Sequence, residues 1–357
     1  MSGPGDVSGL LSLLESERLR AQDIVAVLAK TEGNGCVNDF TREYATLAFS
    51  SALSPYLGLA APEVTSRIAF VMSGGTEGVL SPHATVFARR ATGPKEAPGK
   101  RLAVGIAFTR EFLPEELGRR AQIIETAEAV RAAMRDAAIE SPSDVHFAQI
   151  KCPLLTAERV DAARQRGRMT VTEDAYASMA YSRGASALGV ALGLNEIGDS
   201  CTDNVVLQDW SLYSSVASIS AGIEVKRNLV ILIGNSERSA SDCVIGHSVM
   251  RDAIDLKAVV RAFASVGLDA AGGLEPAGAG RVVNVFAKAE AAPNGMLRDF
   301  RHTMLNDSDI NSTRHARAAV GGLIAGVSGC GAVYVSGGAE HQGPAGGGPV
   351  AVIARAA

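Results

Sequence analysis

The sequence predicts an α+β protein made of three similar domains, each a β-sheet with helices. Its 357 residues are enough for two or three domains. Three segments share one order of features, and each combines short strand-like runs with a helical segment. We expect the domains, residues 1–100, 101–246 and 247–357, to surround a pseudo-threefold axis.

Each copy begins with a lysine at the end of an apolar run. The runs are Val25–Lys30, Val145–Lys151 and Val282–Lys288. Short apolar or alternating runs of this kind are typical of β-strands. The three lysines are therefore expected at strand ends.

An arginine follows in each copy, at the start of a helical segment rich in small residues. These arginines are Arg42, Arg183 and Arg314, and the residues before them are Thr41, Ser182 and Thr313. Serine and threonine are frequent N-cap residues. The pattern predicts each arginine in a first helical turn.

A strand that runs into small residues closes each copy. The strands are predicted at Ile68–Ser73, Leu229–Ser236 and Ala332–Ser336. The second copy differs, because Gly234 and Asn235 precede Ser236, and another register would align Ser236 with Thr76. Linkers between copies are predicted at Gly93–Gly99 and Cys243–Met250.

A pocket that contains three lysines, three arginines and three serines could activate a serine nucleophile with a lysine base. Clustered cations disfavour protonation, so at least one lysine should have a lowered pKa and act as a base. A neutral amine beside a serine hydroxyl activates a nucleophile without histidine or metal. A single lysine is more often a solvated surface charge, and only the threefold match favours catalysis.

Composition excludes several classes of function. The formal net charge of −4 does not favour nucleic-acid binding. Apolar stretches are too short for a membrane helix, and the start has no signal-peptide pattern, so we expect a cytoplasmic protein. Five scattered cysteines are expected as reduced thiols, and the histidine spacing does not predict a metal site.

Several motifs together resemble the ring-opening amidohydrolase family, which includes cyanuric acid hydrolase and barbiturase. They are Ser73–Gly78, Gln149–Leu155, Ser182–Gly189, Gly234–Ser236, Lys288–Ala291 and Ser336–Pro344. The resemblance spans essentially the whole chain and implies three domains around a threefold pseudo-axis, with no organic cofactor. It implies hydrolysis of one ring amide of cyanuric acid to carboxybiuret, which decarboxylates to biuret.

The resemblance also implies roles for individual residues. Ser236 would be the nucleophile and Lys151 the base. The substrate would be bound by side chains and backbone groups from all three copies: Lys30, Arg42, Ser73, Gly74, Arg183, Lys288, Arg314, Ser336 and Gly337. Cyanuric acid, with three carbonyls, matches three such sets of donors.

A structural divalent metal and a homotetramer are further implications of the resemblance. The metal ligands would be Glu290, Ala339, Gln342, Gly343, Pro344 and Gly347. Oxygen ligands of this kind suit Mg²⁺ or Ca²⁺. A glycine-rich loop without an ion remains the alternative.

Two other functions stay open at this point. Barbiturase, which converts barbituric acid to ureidomalonate, shares the chemistry. A non-catalytic protein could instead bind a small anionic metabolite in a cationic pocket. Such a binder would need neither Ser236 nor Lys151, so replacing either residue would leave its affinity largely intact.

Overall fold

The computed structural model describes residues 1–90, 99–199 and 203–357, so most of the linker predicted at Gly93–Gly99 lies outside the described residues. The strands are β1 (Ile24–Thr31), β2 (Ala69–Gly74), β3 (His83–Ala88), β4 (Arg101–Phe108), β5 (Val145–Pro153), β6 (Ala217–Gly222), β7 (Leu229–Ser236), β8 (Cys243–Met250), β9 (Val282–Ala289), β10 (Met296–Leu297), β11 (Phe300–Arg301), β12 (Tyr334–Gly337) and β13 (Gly348–Arg355). The helices are α1 (Ser8–Glu15), α2 (Phe40–Leu57), α3 (Ala61–Arg67), α4 (Arg120–Asp136), α5 (Ala157–Gln165), α6 (Ala175–Gly193), α7 (Leu256–Ala264), α8 (Pro276–Ala279) and α9 (Ser312–Ser328).

Within the described residues, the main sheets repeat one pattern, which confirms the α+β class. Each has a central lysine-bearing strand with one parallel and one antiparallel neighbour. The strand orders are β2-β1-β3, β6-β5-β7-β4 and β12-β9-β13-β8. The second and third sheets thus carry one more strand than the first, and β10 and β11 form a separate hairpin.

The registers of the parallel pairs identify the equivalent serines. Lys30 lies opposite Ser73, and Lys288 lies opposite Ser336. In the second sheet, Lys151 lies opposite Ser220 of β6. The alignment of Ser236 with Ser73 and Ser336 was therefore wrong, because β7 is the antiparallel neighbour, equivalent to β3 and β13.

The segment Cys243–Met250, predicted as a linker, is a strand. As β8 it pairs along its length with β13 at the edge of the third sheet. Its mixed polarity arises because an edge strand is only partly covered, and five of its eight residues are incompletely buried. The boundary drawn at residue 246 falls inside this strand, whose partner belongs to the third sheet.

The predicted N-caps were also wrong. The side chains that accept a hydrogen bond from the first helical turn belong to Asp39, Asp174 and Asn311. Carboxylate and amide oxygens at these positions are strong caps, and they start the helices earlier than expected. Arg42 remains in a first turn, whereas Arg183 lies two turns into α6.

Close packing of helices explains the small residues of α6. A Cβ atom at Gly189 would lie 2.5 Å from Cβ of Thr126 in α4 and 2.7 Å from the carbonyl oxygen of Ile123. The glycine therefore permits the two backbones to approach.

None of the helices in the described part of the chain combines the length and the apolar character that a membrane span requires.

A shared apolar core lies where the three sheets face one another. Its buried side chains come from all three sheets. The ring of Phe286 lies 5.1 Å from that of Phe147, 5.6 Å from that of Tyr334 and 6.4 Å from that of Phe87, between centroids. Phe286 thus joins the second and third sheets to the first.

Replacing Phe286 with alanine is expected to lower the free energy of unfolding by about 3–5 kcal/mol, because it leaves a cavity at this junction. Phe300→Ala is the matched control, since Phe300 is 78% exposed and its loss should cost about 0.5 kcal/mol or less. Chemical denaturation of both variants measures the difference. Equal losses of stability would contradict the packing described here.

Candidate functional site

A small pocket lies at the carboxyl ends of the three central strands. Its volume, counted together with the space that opens to solvent, is about 310 Å³. Its lining, drawn from all three copies, consists of Gly35, Arg42, Met72, Ser73, Gly74, Lys151, Met179, Arg183, Ser220, Ala221, Arg317, Ser336 and Gly337. The structure therefore brings together most of the predicted substrate-binding residues.

Lys30 and Lys288 lie just behind the lining, each bonded to the serine of its own copy. The Lys30 amine donates to Oγ of Ser73 at 3.1 Å and to the carbonyl of Gly74 at 3.0 Å. The Lys288 amine donates to Oγ of Ser336 at 3.2 Å and to the carbonyl of Gly337 at 3.1 Å. The predicted glycines thus contribute carbonyl oxygens to the lysines.

Lys151 is held differently. Its amine lies 2.8 Å from a carboxylate oxygen of Glu224 and 3.3 Å from the carbonyl oxygen of Met72, which belongs to the first sheet. Among the lysines that the structure describes, Lys151 alone lines the pocket. It is the amine that a ligand in the pocket would meet.

Burial lowers the pKa of all three lysines. It is the largest cause in each case, and nearby arginines add to it. For Lys288 the pKa falls to about 7, with Arg183 the next cause after burial. The expectation of a lysine with lowered pKa is met, but desolvation contributes more than the clustering of cations.

The serine hydroxyls converge at the floor of the pocket. Oγ of Ser220 lies 3.3 Å from Oγ of Ser336. The hydroxyl group of Tyr334 is close to Ser73 and Ser220, and burial raises the pKa of this phenol, so it is neutral. Serines of different copies therefore lie within reach of one small ligand.

Ser236 is far from this pocket. Lys151 of β5 lies opposite Leu229 of β7 in the antiparallel register. Ser236 lies seven residues further along β7, which places it roughly 23 Å from Leu229. Its hydroxyl donates to the carbonyl of Ala138 at 2.5 Å. The predicted pairing of Ser236 with Lys151 is excluded by this distance.

The motif Gly234–Ser236 instead joins two sheets. The amide of Asn235 donates to the carbonyl of Ile245 at 2.7 Å and accepts from the Ile245 N–H at 3.1 Å. Both bonds link β7 to β8. The serine at the strand end is therefore part of a structural junction.

Among the residues that the structure describes, three arginines line the pocket, and the one from the third copy is Arg317 and not Arg314. Arg317 is buried and makes two hydrogen bonds to Glu77, at 2.5 and 2.8 Å. The side chain of Arg314 is 41% exposed and lies outside the lining. Arg314 was favoured for its position in the first turn of α9, yet Arg317, one turn later, faces the pocket.

Sequence reasoning missed a glutamate in each copy. Glu77, Glu224 and Glu340 each follow the pocket serine by four residues, in the pattern Ser-x-Gly-x-Glu. Arg183 makes two hydrogen bonds to Glu340, at 2.7 and 2.8 Å, and Arg42 lies 3.9 Å from Glu224. The repeated pattern would have identified these glutamates and also Ser220.

The predicted metal ligands lie beside the third sheet. The Oε2 atom of Glu290 is buried and has no hydrogen-bond partner among the described residues. Burial and the neighbouring Glu340 raise the pKa of Glu290 to about 8. A buried carboxylate oxygen without a hydrogen-bond partner fits a cation, although the described residues contain no group of three His, Cys, Asp or Glu side chains that could hold one.

The loop around Ala339–Gly347 supplies the other predicted oxygens. Ala339 and Pro344 carbonyls each accept one backbone hydrogen bond, from Gln342 and Gly347 respectively. The side-chain oxygen of Gln342 accepts from the N–H of Ile219 at 2.7 Å. Each of these oxygens keeps a second lone pair, so the set is compatible with a bound divalent cation.

Comparison with known proteins identifies the family. The model of a family described as "Amidohydrolase ring-opening protein" matches residues 1–355. A cyanuric acid amidohydrolase of Bradyrhizobium diazoefficiens is 65% identical over 356 residues, covering 99% of this chain and 95% of that protein. Another of the same name, from Pseudomonas sp. strain ADP, is 62% identical and covers 99% and 96%.

A solved structure agrees with these sequence relatives. It is described as "Cyanuric acid hydrolase: evolutionary innovation by structural concatenation" and has a TM-score of 0.96 at 61% identity, with 100% of this chain and 97% of that one covered. Family, sequence and fold coincide over the full length. The chain therefore belongs to the ring-opening amidohydrolase family and is an enzyme that hydrolyses a cyclic amide.

Proposed function

We propose that the enzyme opens the ring of cyanuric acid to give carboxybiuret, which loses carbon dioxide to give biuret. The observation that supports this proposal most directly is that one serine from each copy lines the same small pocket: Ser73, Ser220 and Ser336. The names of relatives at 65% and 62% identity support the choice of substrate. A ring with three equivalent carbonyls suits three equivalent sets of donors.

In this proposal, Ser220 is the nucleophile and Lys151 its base. The two residues are opposite each other in register, and both line the pocket. Ser220 is 9% exposed, against 6% for Ser73 and 3% for Ser336. The amines of Lys30 and Lys288, in contrast, already donate to the serines of their own copies.

The reaction follows the chemistry of a Ser-Lys pair. The neutral amine of Lys151 takes the hydroxyl proton as Oγ of Ser220 bonds to a ring carbonyl carbon. The adjacent C–N bond breaks, and the leaving nitrogen takes the proton from the ammonium group. Water then hydrolyses the acyl-enzyme and releases carboxybiuret, whose decarboxylation yields one biuret and one carbon dioxide.

The arginines bind the ring oxygens and stabilise the developing oxyanion. Arg42 is the most available, since its buried Nε has no hydrogen-bond partner among the described residues. Arg183 and Arg317 are fixed by their glutamates, which orients their remaining N–H groups. Positive charge from all three copies thereby surrounds the substrate.

A divalent cation at Glu290 would have a structural role. It would neutralise the clustered carboxylates of Glu290 and Glu340 and order the loop that follows Ser336. The carbonyls of Ala339, Gly343, Pro344 and Gly347 and the amide of Gln342 would supply the remaining oxygens. No group of this set lines the substrate pocket.

The substrate is tested by incubating purified protein with cyanuric acid and, separately, with barbituric acid. We expect biuret and carbon dioxide in equal amounts from the first and little ureidomalonate from the second. Faster turnover of barbituric acid would replace the proposed substrate. Binding of either ring without turnover would make the protein a binder and overturn the proposal.

Ser220→Ala and Lys151→Ala are each expected to lower kcat by about 10³-fold or more, because one removes the nucleophile and the other its base. Ser236→Ala is the control, since Ser236 lies at the opposite end of its sheet, and it should keep kcat close to wild type. Steady-state assays measure all three. Loss of activity in Ser236→Ala alone would contradict the assignment.

Arg317→Ala is expected to lower kcat/KM by about 10²-fold or more, because the variant loses a pocket cation and both hydrogen bonds between Arg317 and Glu77. Arg314→Ala, one helical turn away, should change kcat/KM by about threefold or less, because Arg314 lies outside the pocket and its 41%-exposed side chain makes only a 3.4 Å ion pair with Glu77. Kinetics and melting temperatures of the two variants are compared. The reverse order of effects would restore Arg314 as the pocket residue.

A further inference from the structure

The three glutamates that follow the serines link the copies in a cycle. Glu77 of the first copy pairs with Arg317 of the third, and Glu340 of the third pairs with Arg183 of the second. Glu224 of the second copy faces Arg42 of the first. Each copy thus offers a carboxylate to one neighbour and a guanidinium to the other.

One pair in this cycle differs from the other two. Glu77 and Glu340 each bind their arginine through two hydrogen bonds. Glu224 lies 3.9 Å from Nε of Arg42, and its oxygen instead contacts the amine of Lys151 at 2.8 Å. The second copy has exchanged a carboxylate–arginine pair for a carboxylate–lysine pair.

The glycines beside the glutamates show the same exchange. A Cβ atom at Gly75 would lie 2.5 Å from Nε of Arg317, and one at Gly338 would lie 2.7 Å from Nε of Arg183. At Gly222 it would lie 2.3 Å from an oxygen of Glu224 and 2.5 Å from Cε of Lys151. The backbone therefore packs directly against the lysine pair and fixes its position.

We propose that Glu224 is the positioning residue that makes Lys151, and not Lys30 or Lys288, the base of the reaction. This inference rests on the function proposed above. The carboxylate holds the amine at the pocket wall, and it stabilises the ammonium that forms when Lys151 takes the Ser220 proton. Its role corresponds to that of the aspartate in a Ser-His-Asp triad, which orients the base and stays ionised.

The surroundings of Lys151 support this role. The charged or titratable groups that act on its amine are Glu224, Arg42 of α2 and Cys152 of its own strand, and the Met72 carbonyl lies nearby. Burial lowers the pKa of Lys151 and Arg42 adds to this, whereas Glu224 opposes both. The pKa of Glu224 is itself lowered by Lys151 and Arg42, against the effect of burial, so the carboxylate is ionised.

The sign of the expected pH effect follows from these contributions. Lys151 acts as a base only when neutral, so activity is present above its pKa and falls as the pH drops through it. Glu224 raises that pKa. Removing the carboxylate should therefore move the acidic limb of the kcat/KM profile to lower pH while weakening the base.

The test is Glu224→Gln, which keeps the shape of the side chain and removes its charge. We expect kcat to fall by about 10- to 100-fold, less than on loss of the base itself, and the acidic limb to shift to lower pH. Glu77→Gln is the matched control, because Glu77 occupies the same position in the first copy but pairs with Arg317. It should raise KM and leave the limb in place.

The pH profiles of the two variants decide whether Glu224 positions Lys151 as the base. An unmoved limb in Glu224→Gln, or equal shifts in both variants, would overturn the inference. If Glu224→Gln does not fold, Glu224→Asp replaces it, with a partial shift expected and an unmoved limb overturning the role. Wild-type protein without turnover, or an active Ser220→Ala variant, would refute the proposed function itself and the inference with it.

Discussion

The burial of three lysine amines at one point is the constraint on which this structure depends. A buried ammonium is costly unless other groups replace its water. Here carbonyl and hydroxyl groups contact the amines of Lys30 and Lys288, whereas a carboxylate and a carbonyl contact that of Lys151. For Lys151 and Lys288 one of the carbonyls comes from a neighbouring copy. The sheets must therefore meet at their carboxyl ends, and the apolar core around Phe286 forms directly behind them.

The balance of charge around the pocket follows from the same constraint. Three arginines would add further repulsion if each were not opposed by a glutamate. Two of these pairs are closed ion pairs that fix the guanidinium groups. The third is open, because Glu224 contacts Lys151 and leaves Arg42 at a distance. The pocket is consequently asymmetric in its chemistry although its framework is repeated.

The fold class and the lysines could be predicted from the sequence, because three apolar runs end in a lysine and each is followed by an arginine and by a strand that runs into small residues. The serine of the second copy was assigned wrongly because β7 has a longer β-branched run than β6, although the repeated Ser-x-Gly-x-Glu pattern contains Ser220. Arg314 and Arg317 lie on one helix, and no sequence pattern separated the face toward the pocket from the exposed face. The glutamates were missed because a single acidic residue after glycines usually lies in a solvated turn.

The cyclic pairing of glutamates and arginines also bears on how small a working version of this protein can be. A fragment that contains only the second copy would keep Lys151, Ser220 and Glu224. It would lack Arg42 and the Met72 carbonyl, and its Arg183 would be left without Glu340. Under the proposed mechanism, the complete cycle of three copies is therefore the smallest catalytic unit, and dividing the chain between its sheets would yield no smaller enzyme.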